Sequence, residues 1–361
     1  MQKIRVCHMA DFHLGGELNI KNSLREEINN NLIKTLFEIF RMLEQSKVDI
    51  VLIAGDFYET SSVDYKLLKQ IKEIFGNFSG NIFISPGNHD YVSLESVYRE
   101  EWPENVHVFL DEKIEFVEIK ELNTRVYGFG FNHSHIYDRK IKEIKVNDEF
   151  INLGVFHGQI GNEINPYHPI FKEDIENSRL EYIALGHVHK RSPIEKLGKT
   201  YFSYSGNPLG RGFDEIGEKG IYIGDVTKNT NNMNFYKVSD SQFQIEDIEI
   251  GNFETQSDIA DQIRNKLEKK FGKLYKKHYY RINLYGYRNE NEFVNIDILL
   301  QFLDDIKYIE IYDFTRFRVD LDKLARENTL KGIFAKELLK LDVSNENKED
   351  IINLALDLFE E

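Results

Sequence analysis

The first 90 residues alternate between short apolar runs and longer segments with a helical period. Residues 4–9, 48–54 and 82–85 are mostly apolar runs with the length of buried strands. In the segments between them, apolar residues recur at spacings of three and four, which predicts amphipathic helices. Ser61 and Ser62 are the predicted caps of the second helix. The resulting β-α-β-α-β order predicts parallel strands.

The rest of the chain divides into a strand-rich part and a mixed part. From about residue 106 to residue 250, short strands follow one another with little helix, which predicts two sheets packed face to face. With the earlier helices outside, the predicted fold class is α/β, a four-layer α-β-β-α sandwich. After Gly251 helices and strands alternate again, as in a small α+β domain. We therefore predict a first domain at residues 1–250 and an accessory domain at residues 251–361.

Residues able to bind metal ions follow five of the predicted strands. The carboxyl ends of parallel strands meet at one edge of a sheet, where ligands gather in such folds. In chain order the candidate ligands are Asp11, His13, Asp56, Asn88, His157, His187 and His189. Mixed nitrogen and oxygen ligands suit manganese, iron or zinc better than calcium, which prefers oxygen alone. The other histidines, such as His8, are predicted to be ordinary surface or core residues.

Seven candidates provide four protein ligands for each of two metal ions if one carboxylate bridges them. Asp56 is the predicted bridge, because Gly55 allows a sharp backbone turn in front of it. His187 and His189 are two residues apart, so an extended chain directs both imidazoles to one side and one turn can serve both ions. The predicted ligands of the first ion are Asp11, His13 and His189, and those of the second are Asn88, His157 and His187. Two divalent cations about 3.5 to 4 Å apart activate water and neutralise a phosphoryl group, so the predicted chemistry is phosphoester hydrolysis.

Three residues near the predicted centre are candidates for substrate chemistry. His89, between Asn88 and Asp90, is left without a metal and is predicted to protonate the leaving oxygen, with Asp90 orienting it. His89 and Asp90 are therefore the predicted catalytic pair. Arg211 lies in a glycine-rich loop near the last ligand turn, where it either grips a phosphate in a bidentate fork or belongs to a simple loop.

The charge of the chain restricts how it can meet nucleic acid. A formal net charge of -15 argues against coating nucleic acid by bulk electrostatics, but it leaves room for a local cationic groove. Residues 264–281 gather eight basic side chains against Glu268 alone, and their alternative role is an ordinary solvated helix face. Tyrosines of this stretch that are predicted to stack on bases are Tyr275, Tyr279 and Tyr280. The predicted DNA contacts are Lys273, Lys276 and Lys277.

The remaining composition indicates a cytoplasmic protein. The single cysteine, Cys7, lies in the first predicted strand, so we expect a packed thiol in a reducing compartment. No apolar run approaches the length of a membrane span, and the N-terminus enters a strand directly without the pattern of a signal peptide. We therefore expect no membrane association.

The turns after the predicted strands carry motifs that resemble those of a known superfamily. The motifs that resemble those of the calcineurin-like metallophosphoesterases are Asp11-Phe12-His13, Gly55-Asp56, Gly87-Asn88-His89-Asp90, His157-Gly158 and Gly186-His187-Val188-His189. Residues 13–15 and 204–211 further resemble the bacterial DNA repair exonucleases of the SbcD and YhaO kind. The resemblance implies two Mn2+ ions, exonuclease or endonuclease action on DNA, a homodimer, and an SMC-like ATPase partner of the SbcC type. It implies only loosely that the chain after Gly251 is a capping domain, and it leaves the role of Glu59 open.

The main competing function is a phosphodiesterase or phosphatase that acts on nucleotides or phosphoproteins. A phosphoprotein phosphatase of this superfamily is expected to carry an arginine soon after Asp56 and a glutamate in place of Asp90, and this sequence has neither. The complete ligand set disfavours a scaffold that has lost its ions. The sequence has no Gly-x-x-x-x-Gly-Lys loop, so an ATP-driven step requires another subunit.

Overall fold

The computed structural model describes residues 2–16, 18, 20, 22–59, 63–251, 253, 255–288 and 292–360. The chain folds into two units, residues 1–242 and residues 243–361. Among the described residues, no helix is both long enough and apolar enough to cross a bilayer. All of the candidate metal ligands belong to the larger unit.

The first sheet of the larger unit is built from the alternating pattern at the start of the chain. Its strands run in the spatial order Asn231–Lys237, Gly220–Val226, Ile4–Met9, Ile50–Ile53, Asn81–Ile84 and Val106–Val108. The last four are parallel to one another, and the first two are antiparallel to their neighbours. The helices Asn22–Gln45 and Tyr65–Gly76 connect the first three parallel strands in the predicted β-α-β-α-β order.

The second of these helices begins at a capping aspartate. The Asp64 side chain accepts a hydrogen bond from the Leu67 backbone N–H at 2.7 Å, which satisfies a donor that the helix itself leaves unpaired. The predicted caps, Ser61 and Ser62, lie outside the described residues. Leu68, Ile71 and Phe75 recur at spacings of three and four and form the buried face of the helix.

The second sheet of the larger unit packs face to face against the first. Its strands run in the order Glu195–Leu197, Thr200–Tyr204, Tyr182–Gly186, Ile151–His157, Thr124–Gly128 and Glu115–Ile119, of which the middle four are parallel. Apolar side chains of both sheets, such as Leu52 and Leu153, form one core. The remaining elements of this unit are the helix Lys172–Ser178, the paired strands Gln159–Ile160 and Pro169–Ile170, and 3-10 helices at Val97–Arg99, Lys120–Leu122 and Lys140–Glu143. The predicted α/β sandwich class is confirmed.

The second unit is built on a three-stranded parallel sheet. Its strands run in the order Phe243–Glu249, Tyr279–Tyr285 and Tyr308–Asp313. Because Phe243–Glu249 pairs within this sheet, the units divide between Gln242 and Phe243, earlier than the predicted boundary after residue 250. The other elements are the helices Gln256–Phe271, Ile296–Phe302, Leu321–Leu324, Leu330–Leu339 and Asn345–Glu360, the 3-10 helix Gly272–Lys277, and the paired strands Tyr287–Arg288 and Arg316–Phe317.

His8 takes part in a buried hydrogen-bond chain between the two sheets of the larger unit. Its Nε2 donates to the Leu185 carbonyl at 3.0 Å, and its Nδ1 accepts from the Tyr182 hydroxyl at 2.8 Å. The same hydroxyl lies 2.8 Å from Ser203 Oγ. Burial lowers the pKa of His8 to about 3. His8 is therefore a neutral core histidine.

Acidification is expected to destabilise the protein through His8. The ordinary histidine pKa is about 6.5, so below that pH the unfolded chain binds a proton that folded His8, with a pKa of about 3, does not accept. This contribution to stability is fully present above about pH 6.5 and is lost as the pH falls, by about 2 kcal/mol between about pH 7 and about pH 5. Chemical denaturation in the presence of chelator at both pH values measures this loss. His8→Gln cannot titrate, so its stability is expected to fall less, and identical losses in the two proteins would contradict the prediction.

Candidate metal centre

The turns that follow the strands hold several candidate ligands in left-handed backbone conformations. The φ angles are 56° at Asp11, 48° at His13, 47° at Asp56 and 98° at His187. Residues other than glycine rarely adopt such angles, and the surrounding structure must fix them, which is common at functional sites. Gly55 precedes Asp56 at φ 81°, and a Cβ placed on it would lie 2.4 Å from His157 Nδ1. The sharp turn before Asp56 therefore requires glycine for both its angle and its space.

Asp11, His13 and His189 form the first cluster of possible metal ligands. One donor atom of each residue lies within 4.8 Å of the other two. The Nε2 atoms of His13 and His189 are 3.1 Å apart. Asp11 is fully buried, and its Oδ1 accepts the His187 backbone N–H at 2.9 Å. Its Oδ2 has no hydrogen-bond partner among the residues that the structure describes.

Asp56, His157 and His187 form the second cluster, again with one donor atom of each within 4.8 Å of the others. His157 Nε2 lies 3.2 Å from Asp56 Oδ2 and 3.0 Å from Asn88 Oδ1. The same Asp56 oxygen lies 3.8 Å from His13 Nε2 in the first cluster. Asp56 therefore lies between the two clusters, where a bridging ligand would have to be. The histidines are grouped as the sequence predicts, with Asn88 beside His157, and the role of each residue as a metal ligand stays a prediction.

Hydrogen bonds at Nδ1 direct Nε2 of three histidines into the centre. The acceptors are Glu59 Oε1 for His13 at 2.7 Å, Glu215 Oε1 for His189 at 2.8 Å, and the Ala54 carbonyl for His157 at 3.0 Å. Ionised carboxylates and carbonyl oxygens only accept, so each Nδ1 donates, and the neutral form of each ring carries its lone pair on Nε2. The Nε2 lone pairs of His13 and His189 face each other, and the Nε2 lone pair of His157 faces the Asp56 carboxylate. Each of these two pairs of acceptors requires a proton or a metal cation between its members. Together with the unpartnered Asp11 Oδ2, this donor set fits two divalent cations.

The carboxylates and imidazoles of the centre shift one another's pKa values. Burial by itself lowers the pKa of His157, but Asp56, Asp11 and the Ala54 carbonyl raise it to about 9. Burial works to raise the pKa of Asp56, but His157 holds it well below its usual range. Burial lowers the pKa of His187 to about 4. At neutral pH the centre without metal therefore contains an ionised Asp56, a neutral His187 and a protonated His157, whose Nε2 proton a bound cation would displace.

Glu59 connects a candidate metal ligand to the candidate acid. Its Oε1 lies 2.7 Å from His13 Nδ1, and its Oε2 lies 3.1 Å from His89 Nδ1. The rings of His13 and His89 meet edge to face with centroids 4.9 Å apart. The hydrogen bond to Glu59 raises the pKa of His89, whose side chain is 49% exposed. His89 is therefore a protonatable group at the open side of the centre, and Glu59 fixes its ring.

Asp90 is fully buried and binds backbone rather than the His89 ring. Its Oδ1 accepts from the backbone N–H groups of Asp56 and Gly87, and its Oδ2 accepts from the Phe57 N–H and the Tyr98 hydroxyl. The carboxylate beside His89 Nδ1 belongs to Glu59. The prediction that Asp90 orients the His89 imidazole is therefore wrong. The tight turn surrounds Asp90 with backbone donors, so this residue holds the turn that carries Asp56.

Arg211 lies beside the first cluster, but a carboxylate of the chain binds its guanidinium group. Its Nη2 donates to Glu215 Oε1 at 2.7 Å, and its Nε lies 3.2 Å from the same oxygen. Glu215 is buried and also accepts from His189 Nδ1, so it joins Arg211 to a candidate metal ligand. The structure therefore pairs the Arg211 guanidinium with Glu215, and its grip on a phosphate stays a prediction. Glu215 was not predicted, and its spacing of four from Arg211 is the feature that could have indicated it.

The predicted DNA-binding stretch belongs to the second unit and is largely packed or paired. Tyr275, Tyr279 and Tyr280 are 4%, 2% and 0% exposed, so the prediction that they stack on bases is wrong. Lys273, Lys276 and Lys277 are exposed, but Lys276 Nζ lies 2.7 Å from an Asp305 carboxylate oxygen. Other basic residues of the stretch that pair with acids are Arg264 with Asp261 and Asp305, Lys270 with Glu246, and Arg281 with Glu310. Acids that are distant in sequence thus neutralise much of its charge.

The sequence of the larger unit matches a family of enzymes. Residues 4–191, more than half of the chain, match the family model of the calcineurin-like phosphoesterases. The chain belongs to this family, which confirms the predicted resemblance. The protein is therefore a phosphoester hydrolase of a family that uses divalent metal ions, and the two clusters supply candidate ligands for them.

Three curated relatives and one solved structure show how far the similarity extends. The chain is 28% identical over 284 residues to the uncharacterized metallophosphoesterase YhaO of Bacillus subtilis, covering 75% of this chain and 68% of the relative. It is 26% identical over 306 residues to the SbcD protein of the SbcCD nuclease of Staphylococcus saprophyticus, covering 75% and 77%. For the protein of the same name from Staphylococcus epidermidis, the identity is 24% over 259 residues, covering 63% and 67%. A dimetal phosphatase from Danio rerio aligns with 66% of this chain and 100% of its own at 11% identity, and its TM-score of 0.41 adds no support.

Proposed function

We propose that this protein is a nuclease that hydrolyses phosphodiester bonds of DNA with the help of two Mn2+ ions, and that it acts in DNA repair in the cytoplasm. The observation that carries the proposal is the pair of ligand clusters that share Asp56. Two of the relatives carry the name of a nuclease component, which supports a nucleic acid as the substrate.

The residues of the two clusters would hold the ions. Asp11, His13 and His189 would bind one cation, Asn88, His157 and His187 the other, and Asp56 both. When bound, two such cations supply a nucleophile from water at neutral pH and neutralise the charge of the scissile phosphate. Glu59, Glu215 and the Ala54 carbonyl fix the imidazole rings through Nδ1, so each Nε2 is oriented before a cation arrives.

His89 would supply the proton for the leaving oxygen. Its Nδ1 proton is donated to Glu59, so the proton that can reach the substrate is the one on Nε2. The same hydrogen bond raises the pKa of His89 and thus keeps the ring protonated closer to neutral pH. Because the other oxygen of Glu59 binds His13, one carboxylate positions both the acid and a metal ligand.

Turnover of a panel of substrates tests this function. The purified protein with Mn2+ is expected to degrade linear duplex or single-stranded DNA, and chelator is expected to abolish the reaction. A cyclic nucleotide and a phosphoprotein complete the panel. Intact DNA together with rapid hydrolysis of either of these would identify a nucleotide phosphodiesterase or a phosphatase instead.

The C-terminal helices of the second unit expose apolar side chains that support a protein partner. In the helix Asn345–Glu360, these residues recur at spacings of three and four and are Ile351, Leu354 and Leu358, with 38%, 59% and 65% exposure. In the helix Leu330–Leu339, Leu330 and Ile333 are 65% and 57% exposed. These five exposed residues of the two helices are called the apolar stripe. We propose that the apolar stripe binds an SMC-like ATPase partner of the SbcC type, and that the nuclease is a homodimer.

Charges within the apolar stripe are expected to prevent assembly with the ATPase. The double variant Leu354→Glu and Leu358→Glu would place two carboxylates in an interface that excludes water. The amount of the ATPase that co-purifies with this protein should therefore fall about tenfold or more. Turnover of a small chromogenic phosphodiester should not change, because the metal centre belongs to the larger unit. Leu94→Glu, at a leucine that is 93% exposed in that unit, is the matched control. Full co-purification of the double variant would contradict the proposed contact.

A further inference from the structure

An open cavity in the second unit combines aromatic rings with arginines. Its volume is about 750 Å³. It is lined mainly by the paired strands Tyr287–Arg288 and Arg316–Phe317 and by residues next to them, with Asp350 from the helix Asn345–Glu360. None of these residues takes part in the metal centre or in the apolar stripe.

The aromatic residues of the cavity leave much of their ring surface in contact with solvent. Tyr285, Phe314 and Phe317 are 41%, 51% and 41% exposed. The rings of Tyr285 and Phe314 stack with centroids 5.5 Å apart and an interplanar angle of 17°. A single exposed ring needs no explanation, but three that line one cavity form a surface on which a planar ligand can stack.

The charged residues of the cavity give it a positive balance. Arg288 covers the Phe317 ring with its Cζ 3.9 Å from the centroid, and its hydrogen bonds go to the Thr315 hydroxyl and the Glu292 carbonyl, both uncharged. Arg316 Nη1 lies 3.4 Å from Asp350 Oδ1, which also accepts the Tyr287 hydroxyl at 2.6 Å. The described lining residues therefore include two guanidinium groups and one carboxylate, which gives the cavity a net positive charge.

We propose that this cavity binds the base and phosphate of a nucleotide unit within single-stranded nucleic acid. The exposed faces of Phe314 and Tyr285 would stack on bases, and Arg316 and Arg288 would contact phosphate oxygens. Duplex DNA hides the faces of its bases, so an aromatic platform selects an unpaired strand. A free nucleotide has the same chemistry, and the experiment below separates the two sources.

Binding of a labelled oligothymidylate to the full-length protein in chelator tests the aromatic platform. Loss of a stacking ring costs about 1 to 3 kcal/mol per base, so Phe314→Ala is expected to weaken binding about fivefold or more. Phe302→Ala is the matched control, because Phe302 is 44% exposed in the same unit but does not line the cavity. Equal affinities of both variants and the wild type would overturn the proposal.

The salt dependence of the same binding tests the arginines. Arg316→Ala is expected to reduce the slope of log affinity against log salt by about 0.7, the value for one phosphate contact on a single strand. Lys336→Ala, which removes an exposed cation of the same unit outside the cavity, should leave the slope unchanged. An unchanged slope in Arg316→Ala, or an equal reduction in Lys336→Ala, would overturn the proposal.

Mapping on the unmodified protein separates binding from effects of the substitutions on folding. A strand that carries 5-iodouracil should cross-link to peptides within residues 285–288 or 314–318, and cross-links confined to other peptides would overturn the proposal.

Competition by thymidine monophosphate at concentrations similar to those of the strand would identify the free nucleotide as the ligand, whereas displacement only by longer strands identifies the nucleic acid. If Phe314→Ala changes sedimentation of the unliganded protein but not strand affinity, the surface is a protein interface and the proposal fails. Metal-dependent turnover of a small phosphodiester is measured separately. A negative result for strand binding at the cavity would therefore not contradict the proposed hydrolytic function.

Discussion

Replacement of Asp56 by asparagine is expected to remove bound metal and hydrolytic activity together. Asp56 Oδ2 lies 3.2 Å from His157 Nε2 and 3.8 Å from His13 Nε2, so a neutral amide would weaken the attraction of both clusters for cations. Metal assistance lowers the barrier of such reactions by several kcal/mol, so turnover should fall about a thousandfold or more. Metal content from plasma mass spectrometry and turnover of a chromogenic phosphodiester measure the two effects on the same sample.

Asp225→Asn is the matched control for this variant. Asp225 belongs to the same sheet, where it pairs in register with Arg5 near the start of the first strand, and its carboxylate lies 3.1 Å from Lys3 Nζ. The ligand turns follow the other end of that strand. The Asp225→Asn protein should therefore keep the metal content and the turnover of the wild type. Full turnover and unchanged metal content in Asp56→Asn would contradict the assignment of Asp56 as the shared ligand.

Replacement of His89 by asparagine is expected to keep the bound metal and to lose most of the turnover on DNA. Its ring is bound by Glu59 at 3.1 Å and is half exposed, whereas Asp11 and His157 are fully buried in the clusters. General acid catalysis contributes about a hundredfold to ten-thousandfold in rate, and the loss on DNA should lie in that range. A 4-nitrophenyl ester releases a group that needs little protonation, so its hydrolysis should fall far less.

His133→Asn is the control for the histidine substitution. Its Nδ1 lies 2.8 Å from Glu112 Oε1 and its side chain is 66% exposed, so it reproduces the exposed histidine and glutamate pair away from the clusters. This control should keep full activity on both substrates. Donor atoms of His13, Glu59 and His89 also lie within 4.8 Å of one another, so a loss of metal in His89→Asn would make His89 a ligand.

The candidate ligands could be predicted because their positions depend on the pattern of single strands. Each follows an apolar run, and a parallel sheet brings the ends of such runs to one edge, which is why Asp11 and His157 meet although they are distant in sequence. The position of Asp56 between the two clusters could be predicted for the same reason, since Gly55 marks a sharp turn at that edge.

The partners of these residues could not be predicted because they depend on packing between segments. Asp90 adjoins His89 in sequence, but the turn directs its carboxylate to backbone donors, and Glu59 from another loop contacts the imidazole instead. Tyr279 and Tyr280 are adjacent in sequence, and the basic residues around them suggest a solvated surface. Both are buried, because Tyr280 packs in the apolar core of the second unit and the Tyr279 ring stacks on that of Phe243 from the neighbouring strand.

Anomalous diffraction at the manganese edge, from crystals grown with Mn2+, tests the metal centre most directly. The account predicts two peaks in each chain. One peak should be bound by Asp11, His13 and His189, the other by Asn88, His157 and His187, with a carboxylate oxygen of Asp56 in contact with both and His89 in contact with neither. A single peak, or a peak bound by His89 and Glu59, would contradict it.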